Sequence, residues 1–253
     1  MSREPKIYGA PRALSNTARV WVPGRDGSGS AVDYANGYAL TPAAGNDAAW
    51  AIAGYVSSKA TSNPVDGSLA LSLAALSNWD SSTQSLLIAM TMRAPSTPAA
   101  SRIFGTSTGS GATAGERGFN IATDTSGYIG LRLNDGSAIY GASTYTAKAV
   151  LDDVPHDVFL FLDCITRKAY MWADDTVLLA GGDFTSLSGP LGNTTAPLLV
   201  GRGATAATVP TRKVSVSNLK VHIVTGRLPA NYLGLIQAHR ENPKRAWDER
   251  AFA

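Results

Sequence analysis

Between residues 117 and 175 short apolar runs alternate with turn residues, and this limits the available folds more than any other feature of the chain. The stretch contains RGFNIATDTSGYIGLRLNDG and, further on, HDVFLFLDCITRKAYMWADD. Ile129, Leu131 and Leu133 fall on one side of an extended chain and Tyr128, Gly130, Arg132 and Asn134 on the other, because successive strand side chains point to opposite faces. Asp135-Gly136 and residues 124–127 supply tight turns. Residues 156–163 are apolar in both phases, as a strand buried on both faces should be.

The same signals recur along most of the chain. Asn36-Gly37 offers a turn within residues 32–40, Leu69, Leu71 and Leu73 alternate, and residues 85–93 form a continuous apolar run. Further strands are expected over 102–106, 118–122, 128–134, 138–146, 168–173, 177–180, 197–201 and 213–225, the last with a phase shift at Ser217-Asn218 that reads as a bulge. Residues 41–64 read as Ala-rich and irregular. Many short strands at this spacing predict an all-β, antiparallel β-sandwich of the jelly-roll type over residues 31–226. Residues 1–30, with Pro5, Pro11, Pro23 and the run GRDGSGS, read as an extended N-terminal arm. Residues 227–253 read as a short helix and a basic tail: Pro229 suits the first turn, Tyr232, Leu233 and Ile236 form a stripe, and Asn242-Pro243 is the stop.

Charge is unevenly spread. Residues 1–30 carry five basic and two acidic side chains, residues 31–211 nine and fourteen, and residues 212–253 eight and three. An acidic body with basic ends suits electrostatic pairing with copies of itself or with an anionic surface, the alternative being ordinary solvated charge. Arg3, Lys6, Arg12 and Arg19 in the arm, and Lys244, Arg245, Trp247 and Arg250 in the tail, are therefore the expected assembly contacts. The basic residues are not densely clustered or interleaved with aromatics, which argues against nucleic acid as a partner. No apolar run approaches the ~18 residues of a membrane span, so no membrane insertion is expected. The N-terminal MSREPKIYGAPR lacks the apolar centre of a secretory signal. Cys164 is the sole cysteine, which excludes an intrachain disulfide, and its apolar neighbours predict a structural thiol.

Catalytic chemistry finds little to work with. A glycosidase needs two carboxylates across the scissile bond, yet Glu4, Glu116, Glu241 and Glu249 are the only glutamates. Asp152, Asp153 and Asp157 gather around His156, but a solvated turn is the expected reading. Gly105-Thr106-Ser107-Thr108-Gly109 matches a nucleophile-elbow pattern, but SGATAG will not start the helix that an elbow requires. His156, His222 and His239 are scattered singly, and Asp124, Asn134 and Asp135 show no dedicated calcium-loop pattern, so neither metal nor other cofactor is expected. A sugar, by contrast, needs aromatic platforms and polar side chains on an open face. Arg132 and Asn134 share a face opposite the leucines, and Tyr170 and Trp172 share one on another strand, so these four are the candidate glycan groove. The competing reading makes Tyr170 and Trp172 core aromatics.

Gly118-Phe119, residues 131–136, His156 with its following strand, the Asp163 turn and the tyrosine-bearing strand ending at Asp174-Asp175 together resemble laminin-G-like modules of the concanavalin A-like jelly-roll class. Pro155 stands where a tryptophan is common in that family, and Asp175 where a glycine is usual. The closing segment LPANYLGLIQAHRENPKRAW is similar to the terminal helix of many tailed-phage laminin-G-like proteins. That resemblance implies a non-enzymatic virion component, either capsid-decorating or in a tail or fibre. It would sit against other virion proteins and copies of itself, and could contact host-surface polysaccharide. A lectin-like attachment protein and a glycan-degrading enzyme are the alternatives.

Overall fold

A computed structural model describes the backbone of residues 18–21, 31–32, 39–42, 49–51, 54–57, 69–71, 79–93, 101–106, 117–124, 126–141, 144–192, 199–200 and 214–242. Side chains are described over 79–93, 103–106, 117–124, 126–141, 145–192 and 218–242. Two antiparallel sheets face each other, and one helix packs on the outside. In chain order the strands are β1 (Ala18–Trp21), β2 (Ala31–Val32), β3 (Ala39–Pro42), β4 (Ala49–Ala51), β5 (Gly54–Ser57) and β6 (Leu69–Leu71). Then come β7 (Gln84–Arg93), β8 (Ser101–Gly105), β9 (Gly118–Thr123), β10 (Tyr128–Asn134), β11 (Ile139–Tyr140) and β12 (Thr144–Ala149). The last are β13 (His156–Asp163), β14 (Lys168–Ala173), β15 (Thr176–Asp183), β16 (Leu199–Val200) and β17 (Val214–Thr225), followed by helix α1 (Tyr232–Glu241).

The first sheet runs β15-β14-β13-β7-β17-β5-β4, with β1 also paired to β17. The second runs β11-β10-β9-β8-β16-β6-β3-β2, with β12 also on β10. This is the antiparallel sandwich with a short C-terminal helix that the strand pattern predicts. Two segments differ from expectation. Ala18–Trp21, expected within an extended arm, adds to the first sheet with Arg19 opposite Val221. The span 41–64, expected to be irregular, holds the hairpin β4–β5 with Trp50 opposite Tyr55. In both places alanine and glycine dilute the period-two signal, and the β-branched and aromatic residues that remain are enough to pair.

Alternation decides what each face of the first sheet touches. Leu86, Ile88 and Met90 of β7 and Leu160 and Leu162 of β13 meet Phe119, Ile121, Leu131 and Leu133 of the other sheet in the main core. The intervening Leu87, Ala89, Phe159, Phe161 and Trp172 point outward, where Leu235 and Ile236 of α1 cover them. The continuous apolar runs of β7 and β13 thus reflect a sheet that is packed on both sides. In β17 the register shifts between Ser217 and Lys220, as the phase break predicts, with Asn218 at φ 52°. Beyond the bulge Leu219, Val221 and Ile223 enter the core, which sends Lys220 and His222 to the helix-covered face.

Helix α1 buries Leu235, Ile236 and His239, while Leu233 is 58% exposed. The expected stripe of Tyr232, Leu233 and Ile236 is therefore corrected: Leu235 replaces Leu233. Among the described residues no helix is long and apolar enough to cross a membrane.

Candidate functional site

The four residues of the expected glycan groove do not come together. Tyr170 and Trp172 lie on β14 of the first sheet, while Arg132 and Asn134 lie on β10 of the second. Trp172 is only 6% exposed. Its ring stacks parallel to Tyr170 at 6.2 Å, and Tyr232 of α1 packs against each at 5.5 Å. The aromatic pair is the floor beneath the helix, so it offers a sugar no open platform. The four-residue groove is corrected on this point, because α1 and its Leu235 and Ile236 need an apolar face to rest on. Arg3, Lys6, Arg12, Lys244, Arg245, Trp247 and Arg250 lie outside the described residues, as do residues 107–116 with most of the elbow-like pattern.

Of the polar half of the expected groove, Arg132 lies on the outward face of the second sheet. Arg132 on β10 is directly opposite Asn120 on β9, and Asn120 is opposite Gly105 on β8. Gly118 and Gly130 fall on the same face, since their neighbours Phe119, Ile129 and Leu131 enter the core. Absence of a side chain at Gly105 is a packing requirement: a Cβ there would lie 2.3 Å from the Phe119 carbonyl oxygen and 2.4 Å from Asn120 Oδ1. The Asn120 amide therefore lies across β8. Asn120 is 2% exposed, and its Nδ2 has no hydrogen-bond partner among the described residues. A buried amide donor left in that state costs about 1–3 kcal/mol, which makes Asn120 the feature on this face with a chemical demand. Arg132, half-buried beside it, adds a second set of N–H donors. Asn134 serves the turn instead: it is fully buried and its Oδ1 accepts from the Gly136 amide at 2.7 Å.

A second polar constellation occupies one end of the first sheet. His156, the first residue of β13, is 4% exposed. Its Nδ1 is 2.8 Å from Asp174 Oδ2 and its Nε2 is 2.8 Å from Asp152 Oδ1. Lys148 also pairs with Asp174, and Asp174 Oδ1 accepts the Asp157 amide at 2.9 Å. Burial pushes the Asp174 carboxyl up, but Lys148, His156 and that amide outweigh it and hold it below the usual carboxylate range. Asp157 reaches the other way, accepting from Thr91 Oγ1 at 2.7 Å, while Asn218 Nδ2 donates to Thr91 at 3.2 Å. His239 Nε2 stands 3.7 Å from Asp157 Oδ1, and His239 Nδ1 is 2.8 Å from Lys220 Nζ. Lys220 and His239 are both fully buried.

Sequence reading missed the Lys220–His239 contact. The available signals were weak: Lys220 and His222 alternate with core residues in β17, and His239 follows Ile236 by three positions on a helix. Nothing local announces that two residues nineteen positions apart, one on a strand and one on a helix, will place two nitrogens together.

Other carboxylates organise turns. Asp135 accepts from the Ser137, Ala138 and Gly189 amides, each at 2.8 Å. Asp124 accepts from the Ser126 and Tyr128 amides. Among the described residues no group of three or more His, Cys, Asp or Glu is arranged to hold a metal ion.

No family model and no curated protein matches this chain. Solved structures do. A Trypanosoma rangeli sialidase in complex with sialic acid superposes with a TM-score of 0.59 at 13% identity, over 92% of this chain and 34% of that one. The binding domain of Paraclostridial Mosquitocidal Protein 1 gives 0.59 at 10% identity, over 90% and 53%. A botulinum neurotoxin type C structure gives 0.56 at 10% identity, over 88% and 51%. The chain thus spans from about a third to about half of the length of these structures. At such identities the likeness is one of fold. The chain is an antiparallel β-sandwich that shares the fold of these structures.

Proposed function

We propose that this protein is a non-enzymatic glycan-binding module whose site is the outward face of the second sheet, around Asn120 and Arg132. The observation that carries the reading is the buried Asn120 Nδ2, without a hydrogen-bond partner among the described residues, directly opposite Arg132. Sugar hydroxyls and carboxylates accept from an arginine's N–H groups, and because Asn120 Nδ2 is shielded from solvent a ligand reaches it only by displacing what covers it. The structural neighbours lend support: the sialidase holds sialic acid, and cell entry of botulinum neurotoxin type C depends on interaction with two ganglioside molecules.

The acidity of the described carboxylates supports the non-enzymatic reading. Glycoside hydrolysis needs one carboxyl held protonated by a raised pKa. Asp135, Asp152, Asp157 and Asp174 are all shifted down, because hydrogen bonds and cations outweigh their burial. The virion placement implied by the terminal segment finds no support in the fold or the neighbours and forms no part of the proposal.

Glycan-array binding by the full-length protein tests the reading. Binding of one or more glycans is expected, with Asn120→Ala and Arg132→Ala each weakening it about tenfold, the equivalent of about 1.4 kcal/mol. No binding across a broad array, or binding that survives both substitutions, would overturn it.

A further inference from the structure

Helix α1 is tied to the sheet at both ends. Near its start Tyr232 rests on Phe161, Tyr170 and Trp172. At its end His239 meets Lys220, and its ring stands edge-on to Phe159 at 5.2 Å. The Lys220 Nζ–His239 Nδ1 separation of 2.8 Å requires one nitrogen to accept from the other. A protonated lysine and a neutral imidazole satisfy that requirement, but a protonated lysine beside an imidazolium leaves two donors and no acceptor.

We propose that the Lys220–His239 pair is an acid-sensitive latch: it holds helix α1 on the sheet while one of the two groups is neutral and releases the helix when both carry a proton. Release would uncover the aromatic floor of Phe161, Tyr170 and Trp172. The inference is independent of the glycan site, which lies on the other sheet.

Among the described residues, the groups around the latch are either cationic or already engaged. From β13, Asp157 faces His239 at 3.7 Å, and its Oδ1 also accepts from Thr91 of β7. From β17 come Lys220 itself, Asn218, and His222 on the same face. The helix adds Arg240, a further cation, whose guanidinium pairs with Asp175. Asp174 is bound to His156 and Lys148. Among the described residues Asp157 is the carboxylate that faces Lys220 and His239, two buried groups that can each become cationic. Burial pushes the Lys220 ammonium down to about 7 against the pull of Asp157. Burial also lowers His239, with Lys220 and Arg240 adding to the effect and Asp157 opposing it.

With the helix released, the two groups take up protons near their ordinary values of roughly 10.4 and 6.5. In the latched state they do so only at lower pH. Falling pH therefore favours release, through Lys220 between about 10.4 and about 7, and through His239 from about 6.5 down to its lower latched value. Each proton gained on release raises the opening constant by up to about tenfold per pH unit.

Hydrogen exchange of the full-length protein at pH 8 and pH 5, corrected for intrinsic rates, tests this. The amides of residues 235–241 should lose protection by at least about tenfold at pH 5, while those of β7 and β13 keep theirs. Equal helix protection at both pH values, or loss in step with the sheet, would overturn the latch. In Lys220→Met the pH response of the helix should flatten, and persistence of the full response would equally overturn it. If that variant does not fold, His239→Gln carries the same comparison.

Discussion

Replacing Trp172 with alanine separates a structural aromatic from a ligand platform. The side chain is 6% exposed and packs against Phe161 at 5.5 Å, Tyr170 at 6.2 Å and Tyr232 at 5.5 Å. A buried tryptophan removes about 200 Å² from water, which at about 25 cal/mol per Å² amounts to about 5 kcal/mol. Large-to-small substitutions of this kind cost about 3–5 kcal/mol, and the lower end applies here because α1 can settle partly into the gap. Urea unfolding followed by far-UV circular dichroism measures the loss. With a slope of about 2–3 kcal/mol per M, the midpoint should fall by about 1–2 M. A loss under about 1 kcal/mol, as expected of an exposed aromatic, would refute the packing argument. Retained stability with lost glycan binding would return the site to this face.

Further outcomes follow from individual residues. Burial pushes the Cys164 thiol up to about 12, so an alkylating reagent at pH 8 should leave the native protein unmodified and label it only after unfolding. Asp135→Ala removes the acceptor of three amide hydrogen bonds and should cost about 2–4 kcal/mol by chemical denaturation. The lowered pKa values of Asp135, Asp157 and Asp174 mean that their stabilisation is complete above about pH 4 and is lost as pH falls through their folded values. Thermal unfolding should therefore show a declining midpoint below about pH 4, and an increase on acidification would contradict the assignment. Gly105→Ala should lower the melting temperature, because the new Cβ meets backbone at 2.3 Å.

The parts of the fold that were readable in the sequence are those in which a single element carries its own signal. β10 could be placed because Ile129, Leu131 and Leu133 alternate with polar residues, and β13 because it is apolar in both phases. The bulge in β17 could be placed from one break in phase. β1 and the β4–β5 hairpin were missed because alanine and glycine give little contrast between faces. The site was harder, since it depends on which faces are covered. The outward placement of Arg132 could be read from alternation alone. Asn120 was overlooked because its significance comes from Gly105 on the neighbouring strand, fifteen residues earlier in the chain. Tyr170 and Trp172 were misplaced because no local pattern shows that α1 returns to cover them.

Amide chemical-shift mapping of the full-length protein, titrated with a glycan that it binds, locates the binding face. The largest shifts are expected at Gly105, Gly118, Asn120, Gly130 and Arg132, with β14 and helix α1 unmoved. Shifts centred on Tyr170, Trp172 and Tyr232, with the second sheet silent, would contradict the proposed site.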